Sequence, residues 1–482
     1  MVKEEKTSKA TARSRTENIA DLEDLFLEHN DSLESFRIDL ISWYRKNRRR
    51  LPWRGDEPPY GVSVKEAPVV KNEKVGAYGT WVSEVMLQQT RVETVIKYFL
   101  NWMQLFPDEQ TLAQASPDAV NAAWAGLGYY SRARNLQKGA KKVVEDFNGV
   151  LPDSESGLLS IPGIGKYTSG AIGSIAFNKS VPLVDGNVIR VFSRICRVSL
   201  EAKDSKLIKA CWDFASKLVS QGNPDPGSFN QALMELGATV CIPKAPRCGD
   251  CPVQKYCVAY KLEKDKSNVI QYPKKAKKKT LPDEVYAVTV VSRPNDKSME
   301  YLVMQRPKKG LLAGQWQFIC TKMFSRTAKE VEESENSIRN SKTNSCKTKV
   351  TTKNSFDNGT HYSTRKEETD KYLRNAIGMC VDCIDSLKPR VDIGSFIHTF
   401  SHIRHHLYVE SARVDKNSEC SACEFSECTT WMTKKQLHDR GLTKSMSTCL
   451  EMDENLMNEH KRKGNARPKK KMKLQMKISQ FT

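Results

Sequence analysis

Ile161-Pro-Gly-Ile-Gly-Lys-Tyr-Thr168 reads as a tight turn between two helices. Its glycines permit close backbone geometry, and the turn presents backbone N–H groups at the start of the next helix, an arrangement suited to one phosphate. Gly163 and Gly165 are therefore candidate contacts. Alone the Gly-Ile-Gly is weak, because any tight helix-helix turn favours glycine. The chain then runs into Leu183-Val-Asp-Gly-Asn-Val188, a turn that opens a further helix near Val188 with Asp185 placed to cap it. Together, at this spacing, the two segments are specific.

Outward from the hairpin the apolar residues keep a helical period. Val82, Val85, Met86, Val92, Val95, Ile96, Phe99 and Met103 fall on it, and similar patterns recur through Val240, so residues 33–258 are expected to be all-helical. Residues 55–78 carry scattered charge and prolines, as in a surface loop between helices. The helical region ends in Cys241, Cys248, Cys251 and Cys257, spaced C-x6-C-x2-C-x5-C. Four such thiolates can close around an iron-sulfur cluster or, on ligand chemistry alone, a zinc ion. Four unconnected buried cysteines are the plain alternative. Glu84 lies among apolar neighbours in Trp81-Val-Ser-Glu-Val-Met-Leu-Gln-Gln-Thr90, where partial desolvation raises a carboxylate's pKa as a general acid requires. A helix N-terminal glutamate that only complements the dipole is the bland reading.

These segments, with Leu51-Pro-Trp-Arg54 and Gly126-Leu-Gly-Tyr-Tyr-Ser131, resemble the endonuclease III superfamily of helix-hairpin-helix DNA glycosylases, and within it the MutY-type adenine glycosylases. The resemblance implies a [4Fe-4S] cluster on the four cysteines, Glu84 as the acid that protonates adenine, and Asp185 as the ionised carboxylate beside the sugar. It also implies that Tyr167 and Asn187 order the site, that Arg54, Gln89, Leu127 and Tyr129 engage DNA, and that Gln89, Leu127 and Tyr129 wedge into the duplex as the base flips out. Bifunctional relatives carry a nucleophilic lysine where this chain has Tyr167. Lys166 lies about 100° around the helix, so hydrolysis by water is expected, with Lys166 on phosphate or in solvent.

Beyond residue 283 the period changes to that of strands: Val285-Tyr-Ala-Val-Thr-Val-Val291, Tyr301-Leu-Val-Met304 and residues 396–409 are β-rich. A smaller α+β domain over residues 284–450 is expected, reached by a basic connector over 259–283 and interrupted by a disordered insertion over about 325–371. Gln305-Arg-Pro-Lys-Lys-Gly-Leu-Leu-Ala-Gly-Gln-Trp-Gln-Phe318 resembles the Nudix-like domain of adenine glycosylases, without the acidic signature that holds magnesium in Nudix hydrolases. Ser401 and His402, in Phe400-Ser-His402, match the motif by which that family reads 8-oxoguanine opposite adenine. An ordinary strand with exposed histidines is the alternative.

The formal net charge of +20 favours a polyanionic partner. No apolar run approaches the ~20 residues of a membrane span and no secretory h-region opens the chain, so a soluble, intracellular monomer without a membrane partner is expected. Residues 1–32 and 451–482 read as tails, the first disordered and the second basic. Lys461-Arg-Lys463 and Pro468-Lys-Lys-Lys471 suggest nuclear localisation or added DNA affinity. Gln475, Ile478 and Phe481 resemble a peptide that binds the sliding clamp. Cys380-x2-Cys383 and Cys420-x2-Cys423, with Cys428, have zinc-compatible pair spacings across a long gap, and their role stays open. The connector carries no cysteine for the zinc element found there in animal relatives. The expected activity is removal of adenine from double-stranded DNA containing adenine:8-oxoguanine mispairs. A bifunctional endonuclease III-like lyase and a non-catalytic damage-binding scaffold are the alternatives.

Overall fold

The structure is a computed structural model that describes residues 21–29, 32–61, 75–220, 224–263, 265–276, 279–295, 298–307, 309–334, 361–414, 423 and 425–464. The chain divides into two compact units, Met1–Lys278 and Lys279–Thr482. Among the described residues no helix is long and apolar enough to cross a membrane. The start of the N-terminal tail, the middle of the insertion, Cys420, the Pro468 basic run and the clamp-like peptide all lie outside the described residues.

The first unit is helical, as the apolar period requires. It begins earlier than residue 33: Asp21 accepts the Glu23 amide at 2.9 Å and caps a helix over Leu22–Leu27, whose Leu22 and Phe26 are fully buried. Phe26 packs on Phe36, Phe214 and Tyr256, which draws this short helix into the core. The expected tail is thus structured over its last part, because two large apolar side chains repay the entropy of ordering it. Ser32 caps the next helix, Leu33–Asn47, by accepting the Glu34 and Ser35 amides. The Gly76–Leu87 helix is buried from Tyr78 through Met86, so any polar side chain there sits in low dielectric.

The unit also ends later than residue 258. Val258–Leu262 continues as a helix, Val269 and Tyr272 pack beside Cys248 and Cys257, and Lys274 donates its amide to Leu200 O at 2.8 Å. Much of the expected connector therefore belongs to the helical unit.

The second unit is α+β. Its strands are β1 (Asp283–Asn295), β2 (Ser298–Gln305), β3 (Trp316–Gln317), β4 (Ile319–Arg326), β5 (Arg390–Thr399), β6 (Arg404–Arg413) and β7 (Thr429–Thr433), and the sheet runs β3-β2-β1-β6-β5, with β4 on β1 and β7 on β2. The central strand β1, Asp283–Asn295, pairs in parallel with β6, Arg404–Arg413, and antiparallel with β2 and β4. Its near-continuous burial from Val288 to Ser292 matches a strand covered on both faces. β5, Arg390–Thr399, and β6 form an antiparallel hairpin closed at its tip by the Phe400 amide on Ile403 O at 2.8 Å. The insertion is ordered at both margins, by β4 up to Arg326 and by a helix from Tyr362 to Tyr372. The last helix, Lys444–Gly464, also runs past residue 450, and its Asp453 is fully buried against the Ser411 hydroxyl. Basic residues 461–463 are its final turn, not an extended tail.

Candidate active site

Glu84 projects from the buried Gly76–Leu87 helix into a cavity of about 380 Å³ shared with Tyr167, Asp185 and Asn187. Its carboxylate accepts the Tyr167 hydroxyl at 2.6 Å. Burial pushes Glu84 up to about 7, against the pull of that hydrogen bond. A carboxyl group in this state can hold a proton at neutral pH and release it to a bound base. Tyr167 is itself pushed well above the usual phenol value by burial and by Glu84, so it stays the donor.

Asp185 caps the Gly186–Ile195 helix. Its carboxylate accepts the amides of Asn187 and Val188 at 2.9 and 2.8 Å and the Asn187 side-chain amide at 2.8 Å. Three donors on one carboxylate suggest a low pKa, yet burial outweighs them and the carboxyl sits above its ordinary value. What the three donors secure is position. Arg190 completes the arrangement, donating to Asn187 Oδ1 at 2.8 Å and to Gly237 O at 2.7 Å. A Cβ at Gly237 would stand 2.6 Å from the Asn187 Cβ, so only glycine allows the two helices this close.

Arg54 lies in the cavity wall, where the structure departs from the expected DNA contact. Its side chain is 9% exposed and donates to Glu235 at 3.0 Å, Gln231 at 3.1 Å and Arg49 O at 3.0 Å. Glu235 also holds Arg49 through both carboxylate oxygens. Although burial pushes Glu235 up, the arginines bring it below the usual carboxylate range. Arg54 thus positions the wall with donors already committed.

The rim carries backbone strain. Gln89 and Tyr129 are both exposed and both hold left-handed φ values, 59° and 48°, which non-glycine residues rarely adopt. One side chain holds the two turns. Arg132 donates to the carbonyls of Val85, Met86 and Gln88 on one turn and of Leu127 and Gly128 on the other. Leu127 is only 7% exposed, so it supports this rim from beneath and does not stand out as a wedge. Arg132 was not singled out by sequence; its only signal is a basic residue on the apolar face of the Ser131–Asp146 helix. Arg132→Met should destabilise the fold by more than the about 1–3 kcal/mol of one orphaned carbonyl, read as a lowered thermal midpoint. It should also weaken duplex binding, whereas Arg134→Met, about 200° around the same helix, should change neither as much.

The hairpin is as expected. Gly163 has φ 88°, and a Cβ there would meet the Asn135 Cβ at 2.9 Å. Gly165 is exposed and precedes the Lys166–Ala171 helix, which continues as a π-helical turn over Ile172–Ala176. The Lys166 ammonium rests 4.1 Å over the Trp212 ring, outside the lining of the Glu84 cavity. Lys166 is exposed, as the solvent alternative has it, with its amine over an aromatic face.

Cys241, Cys248, Cys251 and Cys257 line one cavity with Arg194. Arg194 is 2% exposed and donates to Cys241 Sγ at 3.2 Å and to the carbonyls of Cys241, Ile242, Pro243 and Tyr272. Among the described residues, the thiol group whose sulfurs all lie within 4.8 Å of one another is a different one, Cys380, Cys383 and Cys423. Lys244 and Arg247 are exposed in the same loop.

In the second unit Ser401 and His402 are exposed at the tip of the β5–β6 hairpin, with Ser401 Oγ 3.4 Å from His402 Nδ1. Behind them the Phe400 ring packs edge-on between His398 and His405, at 4.6 and 4.8 Å. Burial pushes His405 down to about 4, so it is neutral packing, 3.1 Å from Glu284.

Residues 82–217 match the family described as HhH-GPD superfamily base excision DNA repair protein. The chain is 37% identical over 417 residues to the adenine DNA glycosylase of Arabidopsis thaliana, covering 81% of this chain and 58% of that protein. It is 42% identical over 320 residues to the adenine DNA glycosylase of Rattus norvegicus, covering 59% and 60%. Thus the chain spans about three fifths of the length of these relatives. Against the adenine DNA glycosylase of Schizosaccharomyces pombe it is 35% identical over 325 residues, covering 59% of this chain and 69% of the relative. With the helical unit, the hairpin and the buried Glu84–Tyr167 pair already in place, this coverage shows that the chain belongs to the adenine DNA glycosylase family.

Proposed function

We propose that this chain is a monofunctional glycosylase that hydrolyses the N-glycosidic bond of adenine paired with 8-oxoguanine, or with guanine, in double-stranded DNA. The observation that carries the reading is the Glu84–Tyr167 hydrogen bond at 2.6 Å inside a cavity shared with Asp185. A flipped adenine in this cavity receives a proton from Glu84, which Tyr167 holds in place. Departure of the base leaves positive charge on the sugar, and Asp185 stabilises it electrostatically or captures it covalently before water completes hydrolysis. Asn187 and Arg190 keep Asp185 in position. No amine takes the lyase position, since residue 167 is tyrosine and Lys166 is engaged with Trp212. Borohydride should therefore trap no covalent adduct with DNA.

Gln89 and Tyr129, on their strained turns, enter the duplex to fill the space the base leaves. Gly163 and Gly165 offer backbone approach to one phosphate. Ser401 and His402 read the lesion. Cys241, Cys248, Cys251 and Cys257 hold a [4Fe-4S] cluster, which when bound supplies a rigid cross-link among the four thiolates. Arg194 orients that loop, and Lys244 and Arg247 present charge to DNA phosphates. The chain acts as a monomer in the nucleus, with a mitochondrial form compatible with the same chemistry, and its Gln475, Ile478 and Phe481 engage a sliding clamp.

The test is single-turnover release of adenine from a duplex with one adenine opposite 8-oxoguanine, compared with adenine opposite guanine and with adenine opposite thymine. Release from the first two, fastest from the first, is the expected result. Tight binding without release would make this a damage sensor instead. In the Ser401→Ala/His402→Ala double variant the preference for 8-oxoguanine over guanine should fall by roughly 1–3 kcal/mol, about 5- to 160-fold, with release opposite guanine little changed.

A further inference from the structure

We propose that Cys380, Cys383 and Cys423 form a second metal site, taking one zinc ion, at the root of the β5–β6 hairpin. The three sulfurs all lie within 4.8 Å of one another, and Cys380 Sγ is 3.7 Å from Cys423 Sγ. Tetrahedral zinc with Zn–S bonds of ~2.3 Å places its sulfur ligands ~3.8 Å apart, so the spacing is that of a single thiolate-bound ion. Cys423 Sγ also accepts the Cys380 backbone amide at 3.4 Å, a contact that stabilises negative charge on sulfur. Cys383 is buried, and all three residues sit in one apolar cluster with Leu373, Ile377, Phe425 and Trp431. An all-sulfur, compact, partly dry site selects zinc over hard cations. The three thiolates fill three of four positions, and the last goes to a further donor or water.

Topology explains why a long sequence gap does not separate the ligands. Cys380 and Cys383 flank and enter the short helix Val381–Asp385, after which the chain leaves along β5 and returns along β6. Arg390 pairs with Ala412, and the Lys388 amide donates to Arg413 O at 2.9 Å, closing the open end of the hairpin. The Ser426 amide then donates to Ile377 O at 3.2 Å, laying the segment after Cys423 against the turn that precedes Cys380. A metal here staples the outgoing and returning segments of the hairpin whose tip carries Ser401 and His402. Only that last link to lesion reading rests on the function proposed above; the zinc site itself does not.

The test uses the full chain, with iron and zinc supplied during expression, and reads metal content by elemental analysis. About one zinc per chain is expected, falling to near background in Cys380→Ser/Cys383→Ser, with iron content unchanged between the two. Wild-type protein that carries no more zinc than the double variant after incubation with Zn²⁺ and dialysis would overturn the site. Because the variant could lose the fold of its domain, residue-resolved alkylation of the wild type supplies a second reading. Zinc should protect Cys380, Cys383 and Cys423 from iodoacetamide, and a zinc chelator should expose them while the buried Cys449 stays unchanged. Equal labelling with and without zinc, or a Cys380–Cys423 disulfide in freshly prepared protein, would also overturn it. None of these measurements depends on adenine release, so the site and the activity fail separately.

Discussion

Glu84→Gln will reduce single-turnover adenine release by about 10²–10⁴-fold, the range for removing a general acid, while leaving duplex affinity largely intact. Glutamine preserves the shape of the side chain and can still accept the Tyr167 hydroxyl, so the loss reports the proton. The pH dependence supplies an independent check. Burial holds Glu84 at about 7 against an ordinary value of 4.5. The wild-type rate should therefore be highest below pH 7 and fall as pH rises through it, because the acid form is lost. Stability follows with the same sign: the folded chain binds more protons than the unfolded one between the two values. The contribution of Glu84 is fully present below pH 4.5 and lost as pH rises to about 7, opposite to a salt-bridged carboxylate such as Glu235. A rate flat across pH 7 in the wild type would remove Glu84 from the role of acid.

Asp185→Asn will cost about 10²–10³-fold in release, the penalty for removing one preorganised electrostatic stabiliser. Asparagine remains a good helix cap, so the Gly186–Ile195 helix should keep its start and the thermal midpoint should move little. The change removes the charge and turns one carboxylate oxygen into a donor facing the Asn187 side-chain amide, which formerly donated to it at 2.8 Å. A rate unchanged by this substitution would place the developing positive charge elsewhere. A collapse in stability with a preserved rate per folded molecule would make Asp185 a cap and no more.

Much of the first unit was legible because helical period, caps and turn glycines are local. The run of apolar residues from Val82 through Met103 and the glycines of the hairpin carry their structure within a few residues. The two carboxylates were legible for a related reason, since each lies in a short motif that resembles known chemistry. What escaped was set by contacts between distant residues. The helix at Leu22 was hidden in a charged segment because two buried side chains decide it, and their partners lie near residues 36, 214 and 256. The place of Arg54 in the cavity wall is invisible in the sequence because Glu235, on the Pro226–Thr239 helix, lies far from it along the chain. Arg132 could be any basic residue on a helix until the carbonyls of two separate turns surround it.

The sequence by itself determined the helical and α+β division, the four-cysteine loop, the tyrosine at the lyase position and the serine–histidine pair, since each depends on residue type and spacing alone. Only the tertiary structure decided how strongly Glu84 is desolvated, that Asp185 is positioned more than it is acidified, and that Lys166 is held on Trp212. It alone brought Cys423 to Cys380 and Cys383 across a hairpin. Desolvation and ligand geometry are properties of what surrounds an atom, and that neighbourhood exists only once remote segments have packed together.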